Sequence, residues 1–383
     1  MKQKSETKGP AAYVMPGLHD SITLHTGPSE TKPGSTSSGT PHRHILIYLI
    51  TGNPGLIDYY RPFLLHLQSL LQPLAATSGS GGVTFTIAGN SLAGFHASRY
   101  KSTAFDGDTL LPLNLQQQIG DVEERLLAAA AEVLGDREDP VEVILIGHSV
   151  GSYILMSLLQ RWNSPPRSSY STTRISSRIT PLAGLCLFPT IVDLHASPSG
   201  RKVSWIAHLP GFALVLQGLA KLLCWALPPE WLLGLVKRVT GQGAQAAGVT
   251  AGFLGSPMGV WQAVYLAQWE LRKMREDRWS EEVWGAETGA RASTRGGVVV
   301  NDLHSGVDWK TKLFFYWAEN DHWIANSTRD AVIARRAGGD GKAGPRMEID
   351  MHGTPHDFCV RGEDSVRVAE KVAGCVREVV VGR

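Results

Sequence analysis

The apolar positions of this chain gather into short segments that read as strands. They are HILIYLIT (His44–Thr51), VTFTIAG (Val83–Gly89), VEVILIG (Val141–Gly147), LAGLCLF (Leu182–Phe188), TKLFFYWA (Thr311–Ala318) and RMEIDM (Arg346–Met351). HILIYLIT is continuous rather than alternating, which is the pattern of a strand covered on both faces of a parallel sheet. Between them the period changes. Tyr59 to Leu74 reads as an amphipathic helix, Leu115 to Leu134 keeps helical spacing, and HSVGSYILMSLLQ after Gly147 continues as a third helix. Buried strands alternating with helices predict an α/β fold with a mostly parallel sheet and helices on both faces.

The rhythm fails in two places. Residues 1–42 are rich in Ser, Thr, Gly, Pro and Lys, and TKPGSTSSGT (Thr31–Thr40) is the most biased part. Such a tract buries too little apolar surface to offset its ordering entropy, so 1–42 is expected to be a flexible segment ahead of one domain spanning 43–383. The second interruption, about residues 189–308, is too long for a loop between two strands and carries Trp205, Trp225, Trp231, Trp261 and Trp269. It is expected to be an inserted helical cap, closing with a Gly-rich return near residues 285–308. Within it, VSWIAHLPGFALVLQGLAKLLCWALPPEWLLGLV (Val203–Val236) is strongly apolar but broken by His208, Pro210, Gln217, Lys221 and Pro228-Pro229. Those breaks argue against a spanning helix, which needs about 20 apolar residues. They favour docking on a lipid surface through anchors such as Leu216, Leu219, Leu223, Trp225 and Trp231, with a buried cap as the alternative.

Composition narrows the function classes. Lys plus Arg number 37 against 35 Asp plus Glu, a net charge of +2, which offers no general footprint for nucleic acid. The four cysteines, Cys186, Cys224, Cys359 and Cys375, include no C-x-x-C pair. A disulfide scaffold and a zinc ribbon are therefore disfavoured, and a reducing compartment is expected. The first residues, MKQKSETKGP, lack the apolar core of a secretory signal. GGDGKAG (Gly338–Gly344) lacks the residues of a phosphate loop, and Gly353 and Pro355 break the helix that zinc binding by His352 and His356 would need. No metal or organic cofactor is expected.

The sharpest chemical signal is Gly147-His148-Ser149-Val150-Gly151, a G-x-S-x-G sequence between a buried strand and a helix. Small flanking residues permit a tight turn that lifts the serine above the carboxyl edge of the sheet. A serine hydroxyl needs a base, and the base an orienting acid, in the chain order Ser, Asp/Glu, His. WAENDHWI sets Asp321 just past one strand, and HGTPHDFC sets His356 in a Gly/Pro loop just past another. His352 is the rival base; Asp302 and Asp308 are rival acids, although they precede their strand. His322 and His148 are expected to pack or cap. Two backbone N–H groups should form an oxyanion hole, that of Val150 and one from Thr51-Gly52-Asn53-Pro54-Gly55. Pro54 has no N–H, so Asn53 is the natural donor and Gly55 the alternative.

Together these residues give a resemblance to the lipid droplet-associated hydrolases, a branch of the α/β-hydrolase superfamily. The matching blocks are GNPGLIDYYRPFLLHL (Gly52–Leu67), GHSVGSYI (Gly147–Ile154), LFPTIVDLHASPSGR (Leu187–Arg201), and Asp321 with Trp323; His356 falls where the family has its histidine. Ser199 stands where the family pattern has Asn. The resemblance implies serine ester hydrolysis of an apolar lipid ester, with Ser149, Asp321 and His356 as triad. It also implies a location at the cytoplasmic face of lipid droplets or endoplasmic reticulum. The alternatives from the residues are a lipid-droplet binding protein with weak or no turnover, and a thioesterase or small carboxylesterase.

Overall fold

In a computed structural model of the chain, the described residues are 19–27, 43–77, 82–95, 111–135, 140–163, 179–207, 209, 211–285, 311–338 and 344–382. Seven strands form one sheet: β1 (Ser21–Thr26), β2 (Arg43–Ile50), β3 (Val83–Asn90), β4 (Val141–His148), β5 (Ile179–Leu187), β6 (Lys312–Ala318) and β7 (Arg346–Asp350). Their order is β1-β3-β2-β4-β5-β6-β7, and every pairing except β1 with β3 is parallel. Helix α1 (Arg61–Thr77) packs against the C-terminal helix (Gly362–Val381) on one face. Helices α2 (Leu115–Leu134) and α3 (Val150–Asn163) cover the other. Crossing left to β3 and then right to β4 puts successive helices on opposite faces, because parallel crossovers are right-handed. This is the mostly parallel α/β arrangement that the pattern of strands and helices predicts.

One expectation is corrected here. Ser21–Thr26 lies inside the 1–42 stretch read as flexible, yet it forms the antiparallel edge strand. Its residues alternate, with Ile22 and Thr26 inward and Ser21 and Thr23 outward. An edge strand with one solvated face needs only a few apolar residues, too few to stand out against a Ser/Thr-rich background. The rest of 1–42, apart from His19, Asp20 and Gly27, lies outside the described residues.

Between β5 and β6 the described residues include five α-helices: α4 (Pro198–Ala207), α5 (Phe212–Ala226), α6 (Pro229–Thr240), α7 (Ala244–Gly255) and α8 (Gly259–Lys273). The Gly-rich return lies, beyond Gly285, outside the described residues. Helix α5 turns Ala213, Gln217 and Ala220 inward, and Gln217 ties Ser256 O and Trp261 N at 3.2 and 3.1 Å. Its exposed face is Leu214, Val215, Leu219 and Leu222, with Trp225 80% exposed. Leu216 and Leu223, two of the anchors expected from sequence, are half-buried; Leu223 packs on a small cluster of Leu232, Val236, Ala247 and Ala251. The anchor face is thus rotated by about one residue, because small and polar residues rather than leucines set the inner side.

A close backbone approach joins α3 to the end of β2. A Cβ built on Gly151 would lie 2.3 Å from Ile50 O, and one on Gly147 would lie 2.5 Å from Gly151 O. Gly151→Ala must push α3 off the sheet, so it should lower the melting temperature by about 1–4 °C, from an overpacking cost of about 1–3 kcal/mol. Gly234 sits exposed in α6 with nothing within 4 Å. Gly234→Ala should instead add about 0.5–1 kcal/mol through helix propensity alone. Thermal melts of both variants check the contrast, and equal melting temperatures would show that the close approach imposes no constraint.

Candidate active site

Register brings the working loops to one rim. Ile50 pairs with Gly147, His148 with Leu187, Leu187 with Tyr316, and Ala318 with Asp350, so the carboxyl ends of five strands finish side by side. Ser149 stands alone between β4 and α3 with φ at +54°, a left-handed conformation costly for a residue with a Cβ. Hydrogen bonds hold it there. Its N–H donates to Leu187 O at 3.0 Å, and its carbonyl accepts from Ser152 N at 2.9 Å. The residue is 8% exposed.

The structure brings Ser149, His356 and Asp321 into one chain of hydrogen bonds. His356 Nδ1 lies 2.7 Å from Asp321 Oδ2, and His356 Nε2 lies 2.9 Å from Ser149 Oγ. An ionised carboxylate only accepts, so Nδ1 carries the ring proton and Nε2 offers its lone pair to the serine hydroxyl. Burial alone would raise the Asp321 pKa. The His356 hydrogen bond and charge, with the Trp323 N–H at 2.7 Å, outweigh it and hold the carboxyl below its ordinary value. The His356 loop is shaped by Asp350 at the end of β7, whose Oδ2 accepts from Thr354 N at 2.7 Å and His352 N at 3.1 Å. Asp350 also binds Tyr316 Oη. Sequence reading passed over Asp350; an Asp two residues before His-Gly at a strand end is a turn-forming signal that could have found it.

The rivals fall elsewhere. His352 is exposed, and His322 is exposed with its carbonyl accepting from Ser199 N at 2.9 Å. Asp302 and Asp308 lie outside the described residues. The loop after β2 runs beside Ser149: a Cβ on Gly52 would lie 3.1 Å from Ser149 Cβ. Gly52 N–H donates to Tyr60 Oη at 2.8 Å, and Pro54 has no N–H, which leaves Asn53 and Gly55 as the donors of that loop. Val150 opens α3, where the first N–H groups have no partner within the helix and the helix dipole is positive. The hydroxyls of Thr51 and Thr190 and the Asn53 Oδ1 are buried without hydrogen-bond partners, leaving acceptors and donors uncommitted near the serine.

The cap supplies a group that sequence reading missed. Asn53 Nδ2 donates to Glu270 Oε1 at 2.9 Å and to Ala263 O at 3.0 Å, both on α8. Burial pushes the Glu270 carboxyl up to about 7, against the lowering effects of the Asn53 hydrogen bond and the nearby His356. No local pattern signals this contact, because its partners are 217 positions apart. His148, expected to pack, does more: Nδ1 lies 2.6 Å from Tyr60 Oη and Nε2 lies 2.9 Å from His356 O.

A family model described as lipid-droplet associated hydrolase matches residues 43–359. Two relatives named lipid droplet-associated hydrolase come from Pongo abelii and Homo sapiens. The first is 27% identical over 206 residues, 54% of this chain and 55% of the relative. The second is 29% identical over 178 residues, 45% of this chain and 47% of the relative. The chain thus spans about half the length of these curated relatives. Among solved structures, the peroxisomal alpha-beta-hydrolase Lpx1 from Saccharomyces cerevisiae is similar with a TM-score of 0.52. It shares 11% identity, over 96% of this chain and 90% of that one, and so speaks for the fold. With most of its length matched, this chain belongs to the lipid-droplet associated hydrolase family and has the α/β-hydrolase fold.

Proposed function

We propose that the protein is a serine hydrolase of apolar lipid esters, with Ser149 as nucleophile, His356 as general base and acid, and Asp321 as the group that orients the imidazole. The observation that carries this reading is the Ser149–His356–Asp321 hydrogen-bond chain. Ser149 Oγ attacks the ester carbonyl carbon as His356 Nε2 takes its proton. The tetrahedral oxyanion is met by the N–H groups of Val150 and Asn53. Collapse expels the alcohol, which leaves with the proton held by His356, and water then cleaves the acyl-enzyme by the same route. The Asp321 carboxylate stabilises the imidazolium formed at each proton transfer.

The cap and the relatives support this substrate class and a location at a lipid surface. Both relatives quoted above are named for lipid droplets. Helices α5 and α6 expose Leu214, Val215, Leu219, Leu222, Trp225, Trp231, Leu235 and Val239, and the same helices carry exposed Lys221, Lys237 and Arg238. An apolar patch next to cations suits a phospholipid-coated oil surface at the cytoplasmic side of the droplet or endoplasmic reticulum. No described helix is long and apolar enough to cross a membrane. At 15 residues α5 is about 22 Å long, short of a hydrocarbon core of about 30 Å. Docking on the surface is therefore the mode these helices fit.

A fluorophosphonate should label the wild-type protein at Ser149, and Ser149→Ala should lose both labelling and hydrolysis of a p-nitrophenyl ester. Asp321→Asn should lower kcat by about 10⁴, the scale known for the acid of such a triad. His352→Ala should keep wild-type turnover. An unlabelled wild type, or a Ser149→Ala variant that still turns over, would sink the serine-hydrolase reading.

The docking face has its own check. Each buried apolar side chain contributes about 1.5–3 kcal/mol, so replacing Val215, Leu219 and Leu222 by Ser should release the protein from isolated droplets. Those residues are exposed, so the melting temperature should stay within about 2 °C and short-ester hydrolysis should persist. Undiminished flotation of a folded triple variant with droplets would move the anchor off α5.

A further inference from the structure

Two loops flank Ser149, and each ends in a backbone group bonded to the same pair of side chains. On one side, Gly52 N–H of the loop after β2 donates to Tyr60 Oη at 2.8 Å. On the other, the main-chain carbonyl of His356 accepts from His148 Nε2 at 2.9 Å. Tyr60 Oη and His148 Nδ1 close the gap at 2.6 Å. Tyr60, His148 and His356 are all buried, at 2%, 4% and 6% exposure.

The ends of this chain dictate every proton in it. A carbonyl oxygen cannot donate, so His148 Nε2 holds the hydrogen. A neutral ring then has its lone pair on Nδ1, which accepts a hydrogen bond from the Tyr60 hydroxyl. Tyr60 Oη is left with lone pairs for the Gly52 N–H, and each polar atom on the path has a partner. A proton added to Nδ1 would leave the phenol hydrogen only the weakly accepting sulfur of Cys359 in a buried place, which is costly. We infer that Tyr60 and His148 form a fixed hydrogen-bond relay that sets the spacing between the oxyanion loop and the His356 loop, so that both are positioning residues for the proposed serine chemistry.

This inference rests on the serine-hydrolase reading above for its kinetic consequence, but the relay itself is a matter of geometry. His148 cannot serve as a second base, because both of its ring nitrogens are already committed. Burial agrees, pulling its pKa down to about 3. The titratable groups facing the relay are Tyr60 itself, whose pKa burial raises, Tyr59 and Cys359 against Tyr60, and His356 with Asp321 behind it. Burial pushes the Cys359 thiol up to about 12, so it stays protonated alongside. Aromatic edges hold the ring in place, with Phe358 at 5.0 Å and Phe188 at 6.2 Å between centroids. A relay anchored at both ends on backbone moves the two loops together, and a shift of about 1 Å at such a site costs about 10²-fold in rate.

The test uses the full chain and four variants: Tyr60→Phe, His148→Phe, their double, and His148→Gln, which keeps a donor towards His356 O. Melting temperature establishes that each is folded. On a short p-nitrophenyl ester, Tyr60→Phe and His148→Phe should each lower kcat by about 10- to 100-fold with KM changed less than about threefold. The double variant should be no worse than the poorer single one, since both break one path. His148→Gln should recover about tenfold of what His148→Phe loses. A folded His148→Phe variant with kcat within about twofold of wild type overturns the positioning role. Imidazole ¹⁵N shifts judge the relay apart from turnover. His148 should be a neutral ring protonated on Nε2 and stay neutral at pH 5. A proton on Nδ1, or protonation near the ordinary histidine value of about 6.5, overturns the relay even in a protein that labels normally at Ser149. Absent labelling and turnover in a wild type whose His148 shows the expected tautomer would count against the hydrolase reading and leave the relay standing.

Discussion

Contact between the backbone of α3 and the carbonyl ends of β2 governs the position of everything at the rim. Gly151 approaches Ile50 O so closely that no side chain fits, and Gly147 lies as close to Gly151 O. That approach forces the chain to turn within one residue, and the one residue is Ser149, held at positive φ. Strain at this point persists because the strands on either side are fully buried and cannot relax. Parallel register then carries the constraint outward. Leu187 O receives the Ser149 N–H, Tyr316 pairs with Leu187, and Asp350 lies beside Ala318. The loops bearing Asp321 and His356 therefore start from points already fixed relative to the serine.

Legibility in the sequence followed the range of the interactions. Central strands were readable because burial on two faces demands unbroken apolar runs, as in Ile45–Ile50 and Val143–Ile146. Ser149, Asp321 and His356 were readable because each belongs to a short segment whose order in the chain is set by the fold. Edge strand β1 was not, since a strand with a solvated face in a polar tract leaves only Ile22 and Leu24 as signal. The inner face of α5 was misread by about one residue for a related reason. Leucines look like core residues, while Ala213, Gln217 and Ala220 permit the closer packing and take the inner side. Glu270 and the relay through Tyr60 and His148 are contacts between distant segments, and no local period encodes them.

The cap presents two chemistries on opposite sides. Outward, α5 and α6 offer tryptophans and leucines to solvent, with Trp225 and Trp231 80% and 72% exposed. Inward, α8 offers a carboxylate to Asn53, and Gln262 brackets Leu113 through both its amide atoms at 2.7 and 2.8 Å. The outer side gains from an apolar environment, whereas the inner side is held by directional bonds that only one position of α8 satisfies.

That asymmetry makes the position of the cap and the shape of the loop after β2 a single geometric quantity. Asn53 belongs to both: its backbone is in the loop beside Ser149, and its amide spans Ala263 O and Glu270 Oε1 on α8. Moving α8 away would strand a buried amide and a buried carboxyl at once, each costly to leave unpaired. Glu270 tolerates either protonation state in the closed arrangement, because Oε1 accepts from Asn53 whether or not the other oxygen holds a proton. With its pKa raised to about 7 by burial, that state is balanced near neutrality. The closed site is thus held by contacts of fixed direction and adjustable strength, in the part of the cap furthest in character from its apolar outer face.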